Sequence, residues 1–222
     1  MDKVLPPGRE QPNAIVSYYT KGALVALLLD LRLRAGSKGA TSLDDLMRAL
    51  WQRHGLSGLG VAEDGIFALA SEIGGAEVGN WLRELVEGTA ELPLESVLAR
   101  AGVSLAWEAS GEAPGIGVRT SADGDTLKLA NIYDGGSAQA AGLSAGDVLV
   151  ALDGLKLGAG NFDKLLARRI AGDSVEIHVF RRDELMRFDV ALKAAPKDTA
   201  RLTFTEDAPA SALALREGWL KG

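Results

Sequence analysis

The chain has 222 residues, 47% hydrophobic and 24% charged, the profile of a globular rather than a disordered protein. Its 24 Lys+Arg stand against 30 Asp+Glu for a net charge of −6 with no basic block, so a nucleic-acid partner has no electrostatic footprint to use. The lack of cysteine excludes disulfide frameworks, thiolate zinc sites and cysteine nucleophiles, and leaves cytoplasm and periplasm both open as the compartment of a soluble chain.

In chain order, Met1 to Pro7 lacks the apolar core of a signal peptide. Asn13 is placed to cap a helix running through Ser17, Tyr18 and Tyr19 to about Arg34, with Gly36 just beyond. Its centre, Ala23 to Leu29, is apolar on nearly every face, which predicts burial between other elements, yet it is far too short to cross a membrane. Ser42 precedes Asp44 and Asp45, and Leu43, Leu46, Met47, Leu50 and Trp51 follow at helical spacing. Further helices are expected at Glu63–Ile73, around Trp81–Val86 and at Leu94–Leu98.

Near Gly102 the period changes from helical to alternating. Val103–Trp107, Thr126–Leu129 and Val175–Phe180 read as strands, with glycine and Asp-Gly turns between them. A last helix is expected from Pro209 to Leu220, with Leu213, Leu215 and Trp219 on its apolar side. The chain therefore reads as α+β: an all-α lobe over residues 1–102, a β-rich domain over 103–197, and a tail over 198–222 ending in a helix.

The run Gly135-Gly136-Ser137-Ala138 through Gly142 to Gly146-Asp147 and Asp153-Gly154 resembles the signature of a PDZ domain, a small β-barrel or sandwich. Ser137 is suited to cap a one-turn helix that Gly142 ends. A helix Phe162–Ile170 and a hairpin turning at Arg182-Asp183-Glu184 follow, an order similar to PDZ domains of bacterial serine proteases. The resemblance implies binding of an extended peptide by strand addition, its terminal carboxylate held by backbone amides. It assigns Gly115, Ile116, Gly117 and Val118 to the carboxylate loop, and Phe162, Leu165 and Leu166 to a side-chain pocket. The same glycines would also serve a plain turn, and the leucines a core.

Asn13 through Leu24, Leu28-Leu29-Asp30-Leu31-Arg32, the Ser42–Trp51 helix and Arg216–Leu220 together resemble the glycyl aminopeptidase family, in which a thermolysin-like zinc peptidase domain precedes PDZ. Tyr19-Thr20-Lys21-Gly22-Ala23 is similar to the Tyr-x-Lys-Gly-Ala element of the wider aminopeptidase N group. That resemblance gives Tyr19 the catalytic role of hydrogen-bonding the oxyanion of the tetrahedral intermediate. Packing of Tyr18 and Tyr19 at a helix start is the alternative. Lys21 is read as a salt-bridging or surface-reaching residue, and Gly22 as a point of close approach by another segment.

The family's zinc site needs His-Glu-x-x-His on one helix. The two histidines, His54 and His178, fall in different predicted domains and in no such motif. Zinc is thus expected in a longer parent enzyme, and no metal or other cofactor in this chain, which alone should not hydrolyse peptides. Expected partners are a peptide or protein substrate and a C-terminal peptide or intramolecular segment in the PDZ groove, with no nucleic acid and no membrane. Competing functions are a non-enzymatic PDZ adaptor for C-terminal peptides and a regulatory subunit completing an active site in trans.

Overall fold

A computed structural model describes residues 18–221; Asn13, Ser17 and the segment before them lie outside the described residues. The protein mixes helices with antiparallel sheet and divides into two compact units, one of residues 18–106 and 200–221, the other of residues 107–199.

The first unit is built around α1 (Tyr18–Ser37), where Val25, Leu28, Leu29, Leu31 and Leu33 are buried. These positions wrap most of the helix circumference, so α1 is covered from several sides. Its cover comes from α2 (Leu43–Leu50), α3 (Gly65–Gly74), α4 (Ala76–Glu87) and α5 (Leu94–Arg100). Asp30 fixes the join between α1 and α2: its carboxylate accepts from Arg34 Nε at 3.0 Å and from the Leu43 N–H at 2.8 Å. Helix α2 starts where the Asp45 carboxylate accepts the Ser42 N–H at 2.9 Å. It runs into a π-helical turn, Trp51–Gly55, which the Leu56 N–H closes on the Trp51 carbonyl at 2.9 Å. Leu46 is buried, whereas Met47 and Trp51 are exposed.

The second unit begins within β1 (Val103–Ala109). Strands β2 (Val118–Asp123) and β3 (Thr126–Ile132) form a hairpin. Helix α6 (Ser137–Ala141), β4 (Val148–Leu152), β5 (Leu155–Lys156) and α7 (Phe162–Leu166) come next, then the hairpin β6 (Ser174–Arg181) and β7 (Glu184–Ala191). The sheet order is β2-β3-β4-β6-β7 with β5 paired to β4. Val175, Ile177 and Val179 alternate inward on β6, the period of two that one buried sheet face demands. Asp147, 1% exposed, accepts both Nε and a terminal nitrogen of Arg181 at 2.8 Å and the Ser144 N–H at 2.8 Å. The Gly-Asp turn is therefore pinned to the end of β6.

Strand β8 (Lys197–Phe204) pairs with β1 in a separate two-stranded ribbon. Helix α8 (Ala210–Lys221) then packs against α1 and α5. Three local expectations are corrected. Ser137 does not cap α6; Gly136 is the cap residue, and Ser137 begins the helix. Helix α7 stops at Leu166 rather than Ile170, because the chain goes over to turns in which Asp173 accepts the Ile170 N–H at 3.0 Å. On α8 the packed face is Ala212, Leu215 and Trp219, with Leu213 exposed: at ~100° per residue, Leu213 lies ~200° round from Leu215.

Candidate functional sites

The loop leading into β2 is the first candidate. Gly115 exchanges a reciprocal pair of hydrogen bonds with Lys193, whose carbonyl accepts the Gly115 N–H at 3.0 Å and whose N–H donates to the Gly115 carbonyl at 3.1 Å. The Ile116 carbonyl accepts from Ala138 N–H at 2.8 Å and the Gly117 carbonyl from Tyr133 N–H at 2.9 Å. With both carbonyls tied to α6 and the end of β3, the Ile116 and Gly117 amides donate to no backbone carbonyl among the described residues. Gly117 has φ +75, and the alternation of chain direction around it is what lets neighbouring amides converge.

Next to this loop β2 is the outer strand of the sheet, and α7 supplies the facing wall. Between them lies a cavity of about 720 Å³ whose lining includes Gly115, Ile116, Gly117, Val118, Phe162 and Leu166. Leu165 is not among its lining residues and packs against the core of the unit. Among the described residues this is an open strand edge beside an apolar trough with two amides unused by backbone carbonyls at one end, an arrangement able to seat an extended chain and its terminal carboxylate.

Among the lining residues that the sequence does not point to are Ser137, Tyr133 and Lys193. The local sequence suits Ser137 to a cap, and Lys193 reaches the loop only through a pairing about eighty residues apart in sequence, which no local pattern reveals.

The second candidate is the start of α1. Tyr19 is 74% exposed and Tyr18 is also open to solvent. Their ring centroids lie 4.2 Å apart at a 33° tilt. A side-chain hydrogen bond with Tyr19, with a smaller contribution from desolvation, raises the Tyr18 phenol above its ordinary value. Lys21 donates to the carbonyls of Val86 and Gly88 at 3.3 and 3.5 Å, which neutralises the C-terminal end of α4. Gly22 does not mark a close approach: a Cβ there would meet open space. The expectation of a neighbour rested on glycine's cost in a helix, and here nothing offsets that cost among the described residues.

His54 and His178 belong to different units. Among the described residues no group of three or more His, Cys, Asp or Glu side chains could hold a metal ion, and no helix is long and apolar enough to cross a membrane.

Comparison with known proteins adds the following. A family model of the PDZ domain matches residues 114–192. Among solved structures, an aminopeptidase N family protein from Idiomarina loihiensis aligns with 32% identity and a TM-score of 0.84, covering 96% of this chain and 37% of that one. An HtrA-type protease solved with a decapeptide aligns at 21% identity over 44% of this chain and 32% of its own, with a TM-score of 0.37. Among curated proteins nothing matches. The chain thus carries a PDZ domain and, over nearly its whole length, is similar to an aminopeptidase N family protein of which it spans little more than a third.

Proposed function

We propose that this chain is the helical and PDZ portion of a zinc-dependent aminopeptidase that removes small N-terminal residues such as glycine. The observation that carries the reading is the similarity to an aminopeptidase N family protein over 96% of the chain. Tyr19, exposed at the start of α1 and followed by Lys21-Gly22-Ala23, supports it. Attack on a peptide carbonyl puts negative charge on its oxygen, and the Tyr19 hydroxyl donates a hydrogen bond to that oxygen. One such preorganised donor is worth roughly 3–4 kcal/mol of transition-state stabilisation.

The described residues do not fit a zinc ion, because no cluster of ligating side chains exists among them. In the proposal the metal is held by protein outside these residues, and the 222-residue chain alone is inactive towards peptides. The test is direct. The reading frame upstream of Met1 should encode His-Glu-x-x-His, and the enzyme carrying both portions should bind zinc and cleave glycine p-nitroanilide faster than the leucine analogue. A frame with no such motif, or peptidase activity intrinsic to the 222-residue chain, overturns the reading.

The groove supports a second role, in the same enzyme or in an adaptor without peptidase activity: binding a C-terminal peptide along β2. Peptide binding by a protein whose gene encodes no metal-binding half would select the adaptor.

A further inference from the structure

The helical unit has a cavity of its own, about 570 Å³ in volume. It lies where the C-terminal ends of α1 and α5 meet α8, with Ala35, Ala212 and Leu215 among its apolar walls. Every lining residue falls within residues 18–106 and 200–221, so the cavity belongs to one unit. Its size is that of a small-molecule site, and so is its makeup of apolar walls with a few charged groups.

Those charged groups are all of one sign. Arg34, Lys38 and Arg100 line the cavity, and among the described residues no acidic side chain does. The chain as a whole has the opposite excess, 30 Asp+Glu against 24 Lys+Arg. Arg34 is the fixed member: its Nε donates to the Asp30 carboxylate at 3.0 Å and a terminal nitrogen to the Gly218 carbonyl at 2.9 Å, which ties α1 to α8. The side chains of Lys38 and Arg100 have no hydrogen bond or ion pair among the described residues, whereas Arg53, Arg83, Arg169 and Arg181 are each paired with a carboxylate.

Lys38 also holds its position at a cost. Its φ is +56, in the left-handed region that a residue with a Cβ disfavours and glycine does not. The following Gly39 N–H closes on the Arg34 carbonyl at 2.8 Å, a helix ending that is least costly with glycine at the left-handed position. What an exposed lysine adds there for the fold is only the weak, screened attraction of a cation for a helix C-terminus. A residue kept in a disfavoured conformation, with its charge unpaired and facing an apolar cavity, points to a ligand.

We infer that this cavity binds an organic anion with an apolar body, of which a medium-chain carboxylate is the simplest case. The Lys38 ammonium and the Arg100 guanidinium hold the anion, and the hydrocarbon lies along the alanine and leucine walls. A carboxylate only accepts, and its bonds to cationic donors are the stronger, charge-assisted kind. Burial of the hydrocarbon adds affinity that an inorganic anion cannot draw on. The inference concerns the helical unit alone and is independent of the peptidase and groove readings.

The experiment titrates octanoate, acetate and octanol calorimetrically into the 222-residue chain at low ionic strength. Octanoate is expected to bind roughly tenfold or more tightly than either of the others, since acetate lacks the apolar body and octanol the charge. Lys38→Gly and Arg100→Met should each weaken octanoate several-fold and leave octanol unchanged. Lys38→Gly should do so without lowering the thermal midpoint, because glycine suits the left-handed backbone. Ala214→Phe, which fills the space from an exposed position on α8, should weaken octanoate and octanol alike. Octanoate bound no more tightly than acetate or octanol overturns the inference. So does octanoate affinity unchanged in Lys38→Gly and Arg100→Met, which would place the bound molecule elsewhere on the chain.

Discussion

Gly117 and Gly136 meet backbone to backbone. A Cβ on Gly117 would lie 2.8 Å from the Gly136 Cα, and one on Gly136 would lie 3.1 Å from the Gly117 Cα and 2.9 Å from the Tyr133 carbonyl oxygen. Gly117 also has φ +75, so alanine there meets both a clash and a disfavoured backbone. Gly117→Ala should cost about 1–3 kcal/mol of stability in urea unfolding and weaken peptide binding, since relief of the clash moves the amides at the loop. Full stability in this variant would mean that the close contact does not hold the loop.

The Asp147–Arg181 pair predicts a different pattern. Asp147 is buried and Arg181 is about one-third exposed, so removing the cation leaves a buried carboxylate with only the Ser144 N–H. Arg181→Met should cost about 3–5 kcal/mol. The double variant Arg181→Met, Asp147→Asn should be less unstable than the sum of the two single changes, because no uncompensated charge remains. Additive losses in a double-mutant cycle would contradict the coupling.

Acid should loosen the connection between Ser110 and Asp198. The Ser110 hydroxyl and N–H hold the Asp198 carboxyl below its ordinary 3.8. A carboxyl whose folded value lies below its unfolded one stabilises the fold at pH above the unfolded value and loses that contribution as pH falls through the folded value. Urea midpoints measured from pH 6 down to pH 2.5 should therefore fall more for wild type than for Asp198→Asn. Parallel curves would show that the contact carries no linkage.

Tyr18 and Tyr19 should separate by function. Both are exposed, so loss of either hydroxyl should leave the thermal midpoint nearly unchanged. In the proposed enzyme Tyr19→Phe should lower kcat by about 10²-fold or more, as loss of one oxyanion donor does, while Tyr18→Phe should leave most of it. Equal effects of the two would remove the distinction between them.

The fold class is legible because burial leaves its period in the residues. Val175, Ile177 and Val179 alternate on β6, and Leu28, Leu29, Leu31 and Leu33 surround α1, so strand and buried helix can each be read locally. What is not legible depends on partners far away in sequence. Met47 and Trp51 fit the helical stripe of α2 but stay exposed, since a stripe states what could be buried and not what covers it. Gly22 is silent for the same reason. In the groove, a glycine-rich loop is visible in the residues Gly115 to Val118, whereas the placing of Lys193 beside it follows from strand closure across the unit. The chemistry of Tyr19 is legible only through its neighbours in the Tyr-Thr-Lys-Gly-Ala run, because the groups it would act with are not among the described residues.

The chain leaves the helical unit within β1 and returns to it within β8, and those two strands are paired, which puts exit and re-entry about 5 Å apart. The PDZ unit is thus a detour from the helical unit with its ends side by side. A short turn replacing it would close the gap with little loss of chain entropy, and evolution or an engineer could exchange one cassette for another while the final helix still docks on the first.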